Sequence, residues 1–225
     1  LMQWPTTSIN WHPGYRIVPS RFPSIYLFDR VADADDFDAL YELEAMTNPR
    51  IRNELGEISL VPPAERLYGH GTGPIMAAFT HLNPEGSRFS DGSYGVFYAA
   101  MEKDTAVAET KHHSTKFMQA TNEEPMYLQM RLYHMDISGT VTDLFKAKDS
   151  HPEIFSLASY SSSKLVGKQI HESGSSGIHY PSVRRLDGTC VAAFKTAILR
   201  KCNHAAYLEY HWDGKEINYV TEKID

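Results

Sequence analysis

The stretch from Gly86 to Glu109, GSRFSDGSYGVFYAAMEKDTAVAE, sets the reading of the chain. It opens as a turn in which Gly86 and Gly92 flank Arg88 and Phe89. Tyr94 to Ala100 follows as a short, largely apolar strand, and Asp104 to Ala120 reads as an amphipathic helix carrying Glu109 on an early turn. Turn, strand and helix in direct succession bring an arginine, an aromatic ring (Tyr98) and a carboxylate to one end of a strand.

Working outward, Met126 to Ile137 partly alternates apolar and polar residues and predicts a longer strand. Tyr160 to Glu172 predicts a helix ended by Ser173-Gly174. Gly177 to Tyr180, Cys190 to Phe194, Ala206 to Trp212 and Ile217 to Val220 are further strands, the last two joined by the hairpin signal Asp213-Gly214. Upstream, Ile75 to Leu82 reads as a strand and Asp33 to Met46 as a helix with acidic residues in its first turn. A loop holding Pro62, Pro63, Gly69, Gly71, Gly73 and Pro74 lies between them. The first thirty residues, with Pro5, Pro13, Pro19 and Pro23 among Trp4, Trp11, Phe22 and Tyr26, predict an extended arm lying on the body. Helices and strands are interspersed without a regular strand-helix-strand rhythm, so the expected class is α+β around a mixed sheet. No repeat or linker divides residues 1–225, which are expected to form one domain.

Composition narrows the function. Hydrophobic residues make up 42% of 225, enough for a sizeable core. No apolar run approaches the length that spans a bilayer, and the opening LMQWPTTSINWHPGYR lacks a signal-peptide pattern, so no membrane association is expected. Cys190 and Cys202 are the sole cysteines, which fits the reducing cytoplasm better than a disulfide-stapled secreted module. A net charge of −6 argues against direct nucleic-acid binding, which favours a basic excess. Although there are 11 His, no H-E-x-x-H occurs, and only Glu109, His112 and His113 cluster, so no metal site is expected.

The central motifs resemble the RES domain, a bacterial family named for Arg, Glu and Ser positions and found mainly as toxins of toxin-antitoxin pairs. Three pieces carry the resemblance: Ser87-Arg88-Phe89 with Gly92, Val96-Phe97-Tyr98-Ala99-Ala100, and Ala106-Val107-Ala108-Glu109. Two later patterns are similar as well: Tyr160-x-x-Ser163-Lys164-x-Val166-Gly167, and Gly177-Ile178-x-Tyr180-Pro181-Ser182-Val183-Arg184 before the strand Val191 to Phe194. The likeness covers roughly residues 30–195, leaving an arm at 1–29 and extra strands at 196–225. Residues 31–87 hold an insertion, relative to compact members, that is expected to adjust access or bind a partner.

The resemblance implies a fold related to ADP-ribosylating toxins, NAD as substrate and no cofactor, cleavage of the nicotinamide-ribose bond, and a helix-turn-helix antitoxin as partner. Homo-oligomerisation stays open. The implied acceptor is water or phosphate, with transfer of ADP-ribose to a target protein as the alternative. Residue chemistry agrees with this. An oxocarbenium-like ribose needs a nearby carboxylate, for which Glu109 is the candidate. A pyrophosphate favours guanidinium donors, for which Arg88 and Arg30 are candidates. A nicotinamide ring needs an aromatic face, which Tyr98 offers. Tyr15-Arg16-Ile17 and Ser20-Arg21-Phe22 compete with Phe28-Asp29-Arg30-Val31 for the first arginine; Arg30 is favoured because it lies closest to the other motifs. For the serine, Ser161, Ser162, Ser163 and Ser182 all stand, each read as a hydrogen bonder rather than a nucleophile because no general base accompanies it. A metal-dependent hydrolase and a non-enzymatic interaction module are the rival readings.

Overall fold

The computed structural model describes residues 3–21, 26–47 and 55–223. The described strands are β1 (Thr6–Pro19), β2 (Phe97–Ala100), β3 (Met126–Asp143), β4 (Gly177–Pro181), β5 (Thr189–Ala193), β6 (Leu199–Trp212) and β7 (Ile217–Lys223). The described helices are α1 (Tyr26–Asp29), α2 (Ala34–Thr47), α3 (Gly73–Thr80), α4 (Lys103–Gln119), α5 (Ala147–Ser150) and α6 (Ser161–Glu172). The mixed α+β class expected from the sequence is the one observed. The strands run in the order β1-β2-β5-β4-β3-β6-β7, and β1 also pairs with β3, so the first five close into a ring from which β6 and β7 extend. All pairs are antiparallel except β3 with β4.

Two expectations need correction. Residues 6–19 are no arm on the surface: β1 pairs with β3 from Thr6↔Thr142 to Pro19↔Met130 and buries Ile9, Trp11 and Ile17. Its prolines fit because Pro13 falls where the register shifts between Trp11 and Gly14, and Pro19 is the final residue of the strand. Phe22 and Pro23 lie outside the described residues. The segment 75–82 is helical rather than a strand: α3 starts at Gly73-Pro74, where proline's fixed φ suits a first helical turn. The carboxylate of Asp29 caps it, accepting from the N–H groups of Thr72 at 3.0 Å and Gly73 at 2.8 Å. That cap comes from a distant part of the chain, and the short apolar run Ile75 to Phe79 carries no period to distinguish helix from strand. The remaining elements fall where the sequence puts them, with β3 and β6 longer than their apolar cores suggested.

The sheet separates two cores. On one face, Trp11, Phe97, Tyr133, Met135, Val191 and Leu199 pack with Phe28 of α1 and with Phe37, Leu55, Ile75, Met76 and Phe79 of the inserted segment. On the other, Ala100, Leu132, Cys190, Leu208, Tyr210 and Trp212 pack with Ala106 and Met118 of α4, Ile170 of α6 and Phe89. Ile75 and Met76 are at most 1% exposed and Phe37 is 3% exposed, so the insertion is an integral part of the hydrophobic interior. No described helix is long and apolar enough to cross a membrane.

Candidate active site

Glu109 stands on the second turn of α4, on the face away from the insertion, half-buried beside the turn that follows β4. Ser182 at the head of that turn is 4% exposed, and its Oγ donates to Glu109 Oε1 at 2.6 Å. The same oxygen accepts from the backbone N–H of Arg184 at 3.1 Å and of Arg185 at 3.0 Å. Its lone pairs are thereby occupied and its single proton points at Glu109, which receives it as a carboxylate. A serine held this way fixes the glutamate and is not a nucleophile.

The 182–188 turn is clamped onto the start of α4. Thr105 Oγ1 donates to Glu102 Oε2 at 2.6 Å, and Arg185 Nη1 donates to Thr105 Oγ1 at 3.2 Å. Gly188 makes the closure sterically feasible, because a Cβ there would lie 2.7 Å from Thr105 Oγ1 and 3.0 Å from the Cβ of Ser182. The contact therefore admits no larger residue.

Tyr98 and Arg88 approach from β2 and the turn before it. The Tyr98 hydroxyl accepts from Phe89 N at 3.0 Å and shares a 2.7 Å hydrogen bond with Ser87 Oγ, so it holds the Arg88 turn from beneath. Burial, above all, pushes that phenol up to about 12. Arg88 is 7% exposed; its Nη1 donates to the carbonyls of Ile154 and Ser156, each at 3.3 Å, and its guanidinium lies 4.5 Å over the Tyr160 ring. Tyr180, buried between these groups, has its hydroxyl pushed well above 10 by burial first, with Cys190, Glu109 and Tyr98 adding to the shift and Arg88 opposing it. Glu109, Tyr98 and Arg88 thus surround one region on one face of the sheet.

The sequence reading overlooked a cationic group here. Arg184 sits two residues beyond Ser182; its Nε is buried without a hydrogen-bond partner, as is Nε2 of His112, one turn along α4 from Glu109. The His112 imidazole is lowered to about 4 by burial first and then by Arg184, with Glu109 pulling the other way. The neighbouring His113 is lowered to about 4 as well, by burial first and then by Arg184, Arg88 and Lys116. Both rings are neutral at pH 7. The unpaired Nε–H of Arg184, beside the second guanidinium of Arg88, suits an anionic ligand. Arg184 belongs to the same Tyr-Pro-Ser-Val-Arg segment that supplied Ser182, so its signal lay in the sequence.

The other sequence candidates are placed elsewhere or otherwise engaged. Arg30 is exposed after α1, on the insertion's side. Arg21 lies 4.6 Å over the Phe117 ring, eight residues and so about 12 Å along α4 from Glu109. Arg16 points to the insertion's face of β1, stacks 4.4 Å over Phe97 and donates to the Tyr98 carbonyl at 2.8 Å; burial lowers it to about 10. Ser161 is exposed and shares a 3.1 Å hydrogen bond with Ser159, while Ser163 is buried and bonds the Tyr160 carbonyl at 3.1 Å. That segment contributes the Tyr160 ring to the Arg88 group. Among the described residues no cluster of His, Cys, Asp and Glu could hold a metal ion.

The RES domain family model matches residues 63–213, a span that includes Arg88, Tyr98, Glu109, Ser182 and Arg184 and excludes Arg16, Arg21 and Arg30. The uncharacterized protein y4oC of Sinorhizobium fredii (strain NBRC 101917 / NGR234) is 32% identical over 208 residues, covering 92% of this chain and 85% of its own. Among solved structures, a crystal structure of the M. tuberculosis MbcT-MbcA toxin-antitoxin complex is similar with a TM-score of 0.41 and 14% identity, over 54% of this chain and 73% of that one. Matched by the family over more than half of its length, this chain belongs to the RES domain family.

Proposed function

We propose that the chain breaks the nicotinamide-ribose bond of NAD and passes ADP-ribose to water or phosphate, acting as the toxin of a bacterial toxin-antitoxin pair. The observation that carries this reading is the Glu109 carboxylate, oriented by Ser182 on the same face of the sheet as the buried Arg88 and the half-buried Arg184. As the bond from ribose C1′ to nicotinamide N1 lengthens, its electron pair leaves with nicotinamide, which departs neutral, and positive charge grows on the ribose. Glu109 stabilises that charge more in the transition state than in the ground state, which is what accelerates a reaction. An acceptor oxygen then bonds to C1′ and releases its proton. Arg184 and Arg88 neutralise the pyrophosphate, while Tyr98 holds the turn that delivers Arg88 and walls the nicotinamide end.

Toxicity follows because uncontrolled NAD loss stops metabolism. The excess of acidic residues, 28 against 22 basic, suits a basic helix-turn-helix antitoxin, and the two unpaired cysteines suit action in the reducing cytoplasm. The test is incubation of the purified chain with NAD, with and without phosphate, followed by product identification. Free nicotinamide with ADP-ribose, or with phosphorylated ADP-ribose when phosphate is present, is expected. Intact NAD, or nicotinamide release only when a protein acceptor is added, would contradict it.

A further inference from the structure

Glu109 is not the only side chain of α4 that meets the turn after β4. Thr105, one helical turn before it and on the same helix face, is fully buried against the same turn. The helix therefore grips residues 182–188 at two points: Ser182 Oγ donates to Glu109 Oε1 at 2.6 Å, and Arg185 Nη1 donates to Thr105 Oγ1 at 3.2 Å. The Thr105 hydroxyl gives its own proton to Glu102 Oε2 at 2.6 Å, so its direction is set from both sides. The same Glu102 oxygen accepts from the backbone N–H of Thr189, the first residue of β5, at 3.2 Å. The Glu102 and Asp104 carboxylates each lie 4.0 Å from the Arg185 guanidinium and hold it electrostatically on this side of the turn.

The turn needs the second grip. It is longer than the usual hairpin connection of about two to five residues, and a long loop fixes its own orientation poorly. Its internal bonds, from Ser182 N to the Gly188 carbonyl at 2.8 Å and from Gly188 N to the Arg185 carbonyl at 3.2 Å, close the loop on itself without tying it to the body. Of its two apolar side chains, Val183 is partly buried against the core and Leu186 is 84% exposed. A further tie, from Arg184 Nη2 to the Leu157 carbonyl, is long at 3.5 Å. Attached at Ser182 alone, the loop is free to pivot about that bond. With Arg185 held on Thr105, two attachments one helical turn apart fix it against α4.

We propose that Thr105 is a positioning residue: through Arg185 it holds the turn so that the Ser182 hydroxyl stays on Glu109. Its kinetic consequence rests on the NAD reading, whereas the placement of Ser182 does not. Thr105 acts on the carboxylate only through the turn, in the way that supporting hydrogen bonds hold a reacting group within its productive geometry.

The test uses three variants of the full chain. Thr105→Val keeps the shape of the side chain and removes the hydroxyl, Thr105→Ser keeps the hydroxyl, and Arg185→Gln cuts the same link from a half-exposed position, which carries the test should Thr105→Val fail to fold. Amide hydrogen exchange at Arg184 and Arg185, whose N–H groups donate to Ser182 Oγ, reports the turn with no substrate present. Measured against amides of β3 in the same chain, both are expected to exchange about tenfold faster in Thr105→Val and in Arg185→Gln, and near the parent rate in Thr105→Ser. With NAD, Thr105→Val is expected to lower kcat about tenfold and Thr105→Ser to recover it. In a Ser182→Ala chain, Thr105→Val is expected to lower kcat no further, because the path from Thr105 to the carboxylate runs through Ser182. Parent-like exchange in Thr105→Val and Arg185→Gln, or a kcat loss that adds in full to that of Ser182→Ala, would overturn the proposal. Absence of nicotinamide release by the parent chain would sink the NAD reading alone, and the exchange rates would then decide the role of Thr105.

Discussion

The two faces of the sheet use the same kind of scaffold differently. On one, the insertion covers the strands with fully buried apolar side chains such as Ile75 and Met76. On the other, α4 and the 182–188 turn meet through polar bonds, with Ser182 joining Glu109 to the backbone of Arg184 and the Arg184 Nε left unpaired. Both faces bury apolar side chains, and on the Glu109 face an unpaired Arg184 nitrogen stands beside the carboxylate, the kind of group that a ligand satisfies.

The contrast breaks if the insertion is dispensable. Phe37→Ala is expected to lower stability by about 3–5 kcal/mol, the usual cost of emptying an aromatic site in a packed core, read as a shift in urea midpoint with unchanged slope. A midpoint close to that of the parent would make the insertion a loosely held cover. On the polar face the expected losses are functional. Ser182→Ala removes a hydrogen bond to a charged group, worth about 1.5–3 kcal/mol, so NAD turnover is expected to fall by roughly tenfold or more. A fall confined to KM would show that Ser182 serves ground-state binding instead. Arg184→Ala is expected to raise KM about tenfold with kcat nearly kept, because a pyrophosphate contact is made in both ground and transition states. The opposite split would move Arg184 into the chemical step.

The smallest effect concerns pH. Because His112 and His113 titrate near 4 in the folded chain and near 6.5 when unfolded, the unfolded state takes up protons first as pH falls. Stability from keeping these rings neutral is complete above about pH 6.5 and is lost progressively down to about pH 4. Carboxylates such as Asp136 and Glu209, whose folded values lie below the ordinary range, withdraw their contribution only at lower pH. His112→Gln should therefore flatten the slope of thermal midpoint against pH between 6.5 and 4. An unchanged slope would mean that its ring is solvated in the folded chain.

What the sequence disclosed follows the range of the interactions involved. The turn, strand and helix of residues 86–120 were legible because local glycines and apolar spacing specify them, and Glu109 came with them. Helix α3 was misread because its cap, Asp29, lies 44 residues before Gly73 and its short apolar run carries no period. β1 was misread because its prolines lose their disruptive meaning only at a bulge and a strand end, which pairing with β3 defines. Ser182 was one hydroxyl among several until the backbone N–H groups of Arg184 and Arg185 singled it out.

The central claim is that Glu109 on the polar face performs the chemistry. The direct measurement is the rate of nicotinamide release from NAD by the parent chain and by Glu109→Gln, each first shown folded by its thermal midpoint. Loss of a transition-state electrostatic partner predicts a rate reduced at least about 10²-fold at an unchanged midpoint. Equal rates from two folded chains would remove Glu109 from the reaction and the NAD mechanism with it.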